Sequence, residues 1–109
     1  MRDRTRKARI AKLLKEESAQ PQKWWWLSFA DETGFLGAVV TRAHGITTAI
    51  MKTHSLGINP GGEVAGFELA DEMMDTPEGR KHTQFADQLL SKKDIDEKLG
   101  AAAKMPDSL

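Results

Sequence analysis

Few residues in this chain could carry out chemistry, and they are scattered along it. The histidines are His44, His54 and His82, and cysteine does not occur. The histidine spacing matches no zinc signature, and no thiolate could complete one. No serine lies in a nucleophile-elbow pattern, and His54 and Ser55, as neighbours on a helix, cannot face each other. The sequence therefore predicts no catalytic residue, no metal ligand and no cofactor.

A glycine-rich loop and a helix start could together bind a small anion. The loop from Gly57 to Gly62 offers successive backbone N–H groups of the kind that form anion nests. It follows a predicted helix, so the helix dipole has the wrong sign for a phosphate loop, and a helix cap with a sharp return into the sheet is favoured. The start of that helix, after His44, has the better sign. The candidate ligand-binding residues are Arg42, His44, Asn59, Gly61 and Gly62.

The charges are divided unevenly along the chain. Residues 1–23 hold eight Lys or Arg side chains against three Asp or Glu, and the remainder carries the opposite excess, so the formal net charge is zero. This is not the charge of a domain that binds nucleic acid with its whole surface. A nucleic-acid contact would therefore use residues 1–23, the basic head. The alternatives are that this head is a solvated face or that it pairs with the acidic residues in segment 68–75. The candidate polyanion contacts are Arg2, Arg4, Arg6, Lys7 and Arg9.

Three consecutive tryptophans must divide between the two faces of a strand, because side chains alternate with period 2. One face then carries Trp24, Trp26, Ser28 and Ala30, and the other carries Trp25, Leu27 and Phe29. The second face is more apolar, and we expect it to lie under the central helix, against Ile46, Ala49 and Ile50. The first face is the better candidate for partial exposure, which makes Trp24 and Trp26 candidate anchors for a protein partner. The alternative is that all three rings are core.

The elements that position these residues predict an α+β fold. Residues 3–18 suit a helix, and residues 23–43 suit a β-hairpin with its turn at 31–34. A helix opens after His44 and ends at Gly57, which suits the C′ position. Residues 63–69 alternate as a third strand. Because a strand–helix–strand crossover is right-handed, the expected sheet order is 2-1-3 with the helix across one face.

The C-terminal third is predicted to be acidic and then helical. Thr76 is the expected N-cap of a helix with Pro77 at its first position, and Ser91 is the expected N-cap of a further helix. Between them an apolar helical stripe is expected, formed by Phe85, Ala86, Leu89 and Leu90.

The length of 109 residues suffices for one domain. The predicted organisation is a basic N-terminal helix over 1–22, an α+β domain over 23–99 and a disordered tail over 100–109. The longest apolar run, residues 35–40, is too short to span a membrane, and the N-terminus lacks the apolar region of a signal peptide. Together with the lack of cysteine, these features predict a cytoplasmic protein.

Three segments carry a resemblance to known sequences. They are WWLSFAD at 25–31, GFLGA at 34–38 and LGINPGGEV at 56–64. Over residues 24–67 the chain resembles a group of small uncharacterised bacterial and phage-borne proteins. That group has no established activity, so the resemblance implies no catalytic residue. It supports the hairpin–helix–strand pattern and an accessory role in a phage or mobile element.

These observations predict a non-enzymatic binding or interaction module, with a protein as the expected partner. The alternatives are a nucleic-acid-associated protein that uses the basic head and a small anionic-ligand binder at the glycine loop. No membrane partner is expected, and the oligomeric state is left open.

Overall fold

A computed structural model describes residues 11–12 and 14–99 of the chain. Residues 11–12 and 14–18 are helical (α1) and are followed by β1 (Lys23–Asp31), β2 (Gly34–Ala43), α2 (Ile46–Ser55), β3 (Glu63–Leu69), α3 (Asp71–Met74), α4 (Pro77–Gln84) and α5 (Lys92–Asp94), which continues as a π-helical turn (Ile95–Leu99). The first part of the helix predicted over residues 3–18, residues 3–10, and the tail predicted over 100–109 lie outside the described residues. No helix among the described residues is long and apolar enough to cross a membrane.

The three strands form one sheet in the order β2-β1-β3, with β1 antiparallel to both neighbours. The predicted α+β fold and the predicted strand order are confirmed. Because the chain must cross over β1 to reach β3, α2 provides that crossover and packs on one face of the sheet.

The hairpin is built from local turn chemistry. Glu32 and Thr33 form a two-residue connection, and the Asp31 carboxylate accepts a hydrogen bond from the Thr33 N–H at 2.8 Å. In β2 the register shifts so that Phe29 pairs with Gly37, which has a φ of 145°. A Cβ at Gly37 would lie 2.7 Å from Leu89 Cδ1, so β2 bulges at this position and packs closely against Leu89.

The predicted cap of α2 is confirmed. The Gly57 N–H donates to the His54 carbonyl and the Ile58 N–H donates to the Thr53 carbonyl, each at 3.0 Å. With Gly57 at a φ of 70°, this is a Schellman motif. It returns the chain toward the sheet immediately after the helix.

Each face of the sheet has its own core. On the α2 side, the buried residues Leu27, Phe29, Val39, Ala43 and Ala49 pack with Trp25 and Ile50. On the other side, the buried residues Trp26, Ala38, Val40, Leu69, Met74, Leu90 and Leu99 pack with Trp24, Phe67, Phe85 and Ile95. The expected position of Trp25 under the central helix is confirmed. Ile46 is 37% exposed and is not part of either core.

The expectation of an exposed Trp26 is wrong. Trp26 is only 4% exposed, and its ring meets the ring of His82 edge-on at 6.0 Å between centroids. The physical reason is that the C-terminal helices cover this face of the sheet. Trp24 is partly buried against the same core. Of the two predicted anchors, Trp26 is therefore a core residue.

The C-terminal segment matches its predicted caps but not the stripe between them. The Thr76 hydroxyl accepts from the Gly79 N–H, and Ser91 and Asp94 form a capping box. The predicted helical stripe of Phe85, Ala86, Leu89 and Leu90 is wrong, because α4 ends at Gln84 and residues 87–90 bond to the edge of β2. The short helix α3 was not predicted.

We predict that Trp26→Ala lowers the free energy of unfolding by about 3–5 kcal/mol, because it removes a fully buried ring. Trp24→Ala should lower it by less, because that side chain is only partly buried. Urea denaturation of both variants tests this order. An equal or larger loss for Trp24→Ala would contradict the packing described for this face.

Candidate binding surfaces

The N-terminus of α2 already holds a carboxylate from the chain itself. Glu17 of α1 accepts hydrogen bonds from the Thr47 N–H at 3.1 Å and the Thr48 N–H at 2.9 Å. The Thr48 hydroxyl donates a third at 3.1 Å. A Cβ at Gly45 would lie 2.5 Å from the Glu17 carboxyl carbon, so a side chain there would displace this carboxylate. The predicted anion position is thus filled internally, by a residue that sequence reasoning did not single out.

The five predicted ligand residues do not form one site. His44 Nδ1 lies 2.7 Å from the Gln20 carbonyl, and Arg42 is exposed with its carbonyl accepting from Lys52 Nζ. These two residues lie at the start of α2. The predicted loop residues, Asn59, Gly61 and Gly62, follow the other end of the helix. A helix of this length is about 15 Å long, so one small anion cannot contact both groups.

The environment of Glu17 favours its charged form. Partial burial raises the pKa of this carboxyl, but the hydrogen bonds from Thr47 and Thr48 outweigh that effect and hold the pKa below its ordinary value. The carboxylate also complements the positive end of the helix dipole. It therefore ties the end of the basic head to the folded domain.

The glycine loop is shaped by the backbone. The Asn59 side chain accepts from the Gly61 N–H at 2.8 Å and donates to Thr53 Oγ1 at 3.0 Å. Gly61 and Gly62 both have positive φ. A Cβ at Gly62 would collide with the Ala30 carbonyl oxygen, whereas a Cβ at Gly61 would meet open space. These contacts serve the return from α2 into β3.

Two further features bear on a possible site: the basic head and an open cleft beside the hairpin turn. The candidate polyanion contacts Arg2, Arg4, Arg6, Lys7 and Arg9 lie outside the described residues. An open cleft of ≈470 Å³ is lined by Ala30, Asp31, Glu32, Gly62 and Glu63. Across the described ranges, no three His, Asp or Glu side chains are grouped to hold a metal ion.

Among the described residues, His82 is the ionisable residue that is buried in the core. It is 2% exposed, and its Nδ1 lies 3.0 Å from the Glu78 carbonyl, which can only accept. Nδ1 is therefore the protonated nitrogen, and Nε2 has no hydrogen-bond partner among the described residues. Its neighbour is the Trp26 ring. His82 is therefore buried beside the core residue Trp26.

One edge of the sheet is covered. Ala38 exchanges two backbone hydrogen bonds with Leu90, at 2.8 and 2.9 Å, and the Asp87 N–H donates to the Val40 carbonyl at 2.8 Å. The Thr41 hydroxyl donates to the Asp87 carboxylate at 2.6 Å. Residues 87–90 therefore seal the outer edge of β2.

The direction of the backbone groups in β3 follows from this pairing. The backbone N–H and C=O groups of Ala38 and Val40 point away from β1, so those of Val39 and Thr41 point toward β1. Along β1, the backbone groups of successive residues therefore point alternately to β2 and to β3. The β1 residues that face β3 are Trp24, Trp26 and Ser28, paired with Leu69, Phe67 and Ala65. The intervening β3 residues, Val64, Gly66 and Glu68, direct their N–H and C=O groups outward.

The outer edge of β3 has no partner among the described residues. Its seven residues pair with β1 in unbroken register, and none of them takes part in a backbone hydrogen bond to another segment of the described chain. The strand contains neither proline nor lysine, which commonly block an edge, and its charges are Glu63 and Glu68. The edge is therefore a regular template for a further strand.

Comparisons of the chain with protein-family models, with curated proteins and with solved structures give no match. The resemblance of residues 24–67 to small bacterial and phage-borne proteins stays a prediction.

We predict that Glu17→Gln lowers the free energy of unfolding by about 1 kcal/mol at neutral pH, because it removes a charged cap from α2. The folded pKa is depressed, so this contribution is present above the ordinary glutamate pKa and is lost as pH falls through the folded value. Urea denaturation at pH 7 and at about pH 3 measures it. The exposed neighbour Glu16→Gln is the control. If the difference in unfolding free energy between the wild type and Glu17→Gln were the same at both pH values, the charge of Glu17 would not be its cause.

We predict that Gly62→Ala destabilises the protein more than Gly61→Ala. Both replacements strain a positive φ, by about 1 kcal/mol, but only the first adds a collision with the Ala30 carbonyl. Thermal unfolding of the two variants is the measurement. If Gly62→Ala were as stable as the wild type, the structural role of this loop would be lost.

Proposed function

We propose that this protein is a non-enzymatic interaction module that binds an extended segment of a protein along the outer edge of β3. The observation that carries this proposal is the asymmetry of the sheet. Residues 87–90 seal the edge of β2, whereas Val64, Gly66 and Glu68 present outward N–H and C=O groups. A strand added to such an edge gains main-chain hydrogen bonds and reads alternate side chains.

The two faces of β3 offer different side chains to an added strand. Ala65, Phe67 and Leu69 share the face that packs on the C-terminal helices, and Val64 and Gly66 share the face under α2. Glu63 and Glu68 are exposed near the two ends of the strand. An added strand would therefore contact a short uncharged centre bounded by carboxylates.

We further propose a cytoplasmic location and an accessory role in a phage or mobile element. A cytoplasmic location is supported by the cysteine-free composition. An accessory role in a phage or mobile element rests on the sequence resemblance alone. The nucleic-acid alternative rests on the charge of the head, where the exposed Lys12 and Lys15 are the described representatives. The anionic-ligand alternative is weakened because the Glu17 carboxylate already occupies the N-terminus of α2.

A displayed library of short random peptides tests the proposal directly. We expect the wild-type protein to select peptides that bind in extended form and that lose about tenfold or more in affinity to Glu68→Pro. Proline removes an outward N–H and places a ring at the edge, while the ladder to β1 keeps its bonds. Circular dichroism and thermal unfolding are the checks that the variant is folded.

Glu68→Ala is the matched control, because it removes the same carboxylate and its 3.2 Å ion pair with Lys23 but keeps the N–H. Peptides that bind the proline and alanine variants equally well would contradict strand addition.

A further inference from the structure

The outward groups of β3 are arranged symmetrically about one residue. Val64 and Glu68 lie two positions on either side of Gly66, and the backbone N–H and C=O groups of all three residues point outward. Two copies of this strand can therefore run antiparallel with Gly66 opposite Gly66 of the second copy. Val64 then faces the second copy's Glu68, and each such pair exchanges two backbone hydrogen bonds. This register uses every outward group of the strand, whereas a shift in either direction leaves some unpaired.

From this self-complementary edge we infer that the occupant of the β3 edge is a second copy of this chain, forming a two-fold dimer with a continuous six-stranded sheet. The inference rests on the proposed function and names its partner. A two-fold contact of this kind is isologous and closes on itself, so it gives a dimer and not a fibre.

The side chains near the centre of the contact suit this partner. Ile46 is 37% exposed, and its Cδ1 would lie 3.0 Å from a Cβ placed at Gly66, so it sits over the middle of β3. The two-fold axis between the two Gly66 residues brings the two copies of Ile46 toward each other over a position with no side chain. On the opposite face, Phe67 comes beside the second copy's Ala65, which pairs a large side chain with a small one.

The charges also permit this partner. In the centred register Glu68 lies opposite Val64 of the second copy, and Glu63 lies opposite its Leu69, so no carboxylates are directly opposed. Glu68 keeps its own cation, Lys23, at 3.2 Å. The whole chain has a formal net charge of zero, so two copies do not repel each other at long range.

Sedimentation velocity of the full chain over a wide concentration range tests the inference. We expect the dimer mass at high concentration for the wild type and for Glu68→Ala, and the monomer mass for Glu68→Pro. A peptide selected on the β3 edge should dissociate the dimer. A wild type that is monomeric throughout overturns the second copy as partner, and peptide binding then shows whether the proposed function survives without it.

A cysteine pair tests the register independently of the proline variant. The natural chain has no cysteine, so Val64→Cys and Glu68→Cys can be made as separate proteins. Mixed under mild oxidation, they should form a disulfide-linked pair, because opposed residues lie about 5.5 Å apart between Cα atoms. Each protein alone should form at least about tenfold less, because its two copies of the cysteine lie about 13 Å apart along the strands. Equal cross-linking alone and mixed would overturn the register.

Discussion

The structure depends on the double burial of β1. This strand pairs with β2 on one side and β3 on the other, and both of its faces are covered. Trp25 reaches the α2 side, where its indole N–H donates to the Ala43 carbonyl at 3.1 Å. Trp26 faces the C-terminal helices and lies in their core. A chain of this length has few large apolar residues, and placing adjacent rings in opposite cores supplies both layers from one segment.

Covering both faces leaves the edges of a three-stranded sheet as its unpaired backbone. The fold uses residues 87–90 to close the β2 edge, and Asp87 anchors that segment. It adopts a φ of 60°, accepts from the Thr41 hydroxyl and lies 3.4 Å from Lys52 Nζ of α2. The β3 edge has no comparable device in the described part of the chain. The difference between the two edges is the basis of the proposed binding surface.

The features that the sequence predicts correctly are those fixed by interactions between residues close together in the chain. Gly57, Thr76 and Ser91 mark helix ends because each satisfies free backbone groups close to it in sequence. The strand order follows from the crossover rule. The contacts that sequence missed are long-range: Glu17 caps a helix that begins far along the chain, and Leu90 leaves an apparent helical stripe to pair with β2. Trp26 was misplaced because the covering of its face depends on such tertiary packing.

The backbone groups of Val64, Gly66 and Glu68 point away from the sheet, whereas those of Ala65, Phe67 and Leu69 bond to β1. Amide hydrogen exchange followed by NMR measures each group separately. At low protein concentration we expect fast exchange for Val64, Gly66 and Glu68 and strong protection for Ala65, Phe67 and Leu69. As the concentration rises, exchange of the first three amides should become slower. Protection of Val64, Gly66 and Glu68 at the lowest concentration, equal to that of their neighbours, would contradict the open edge.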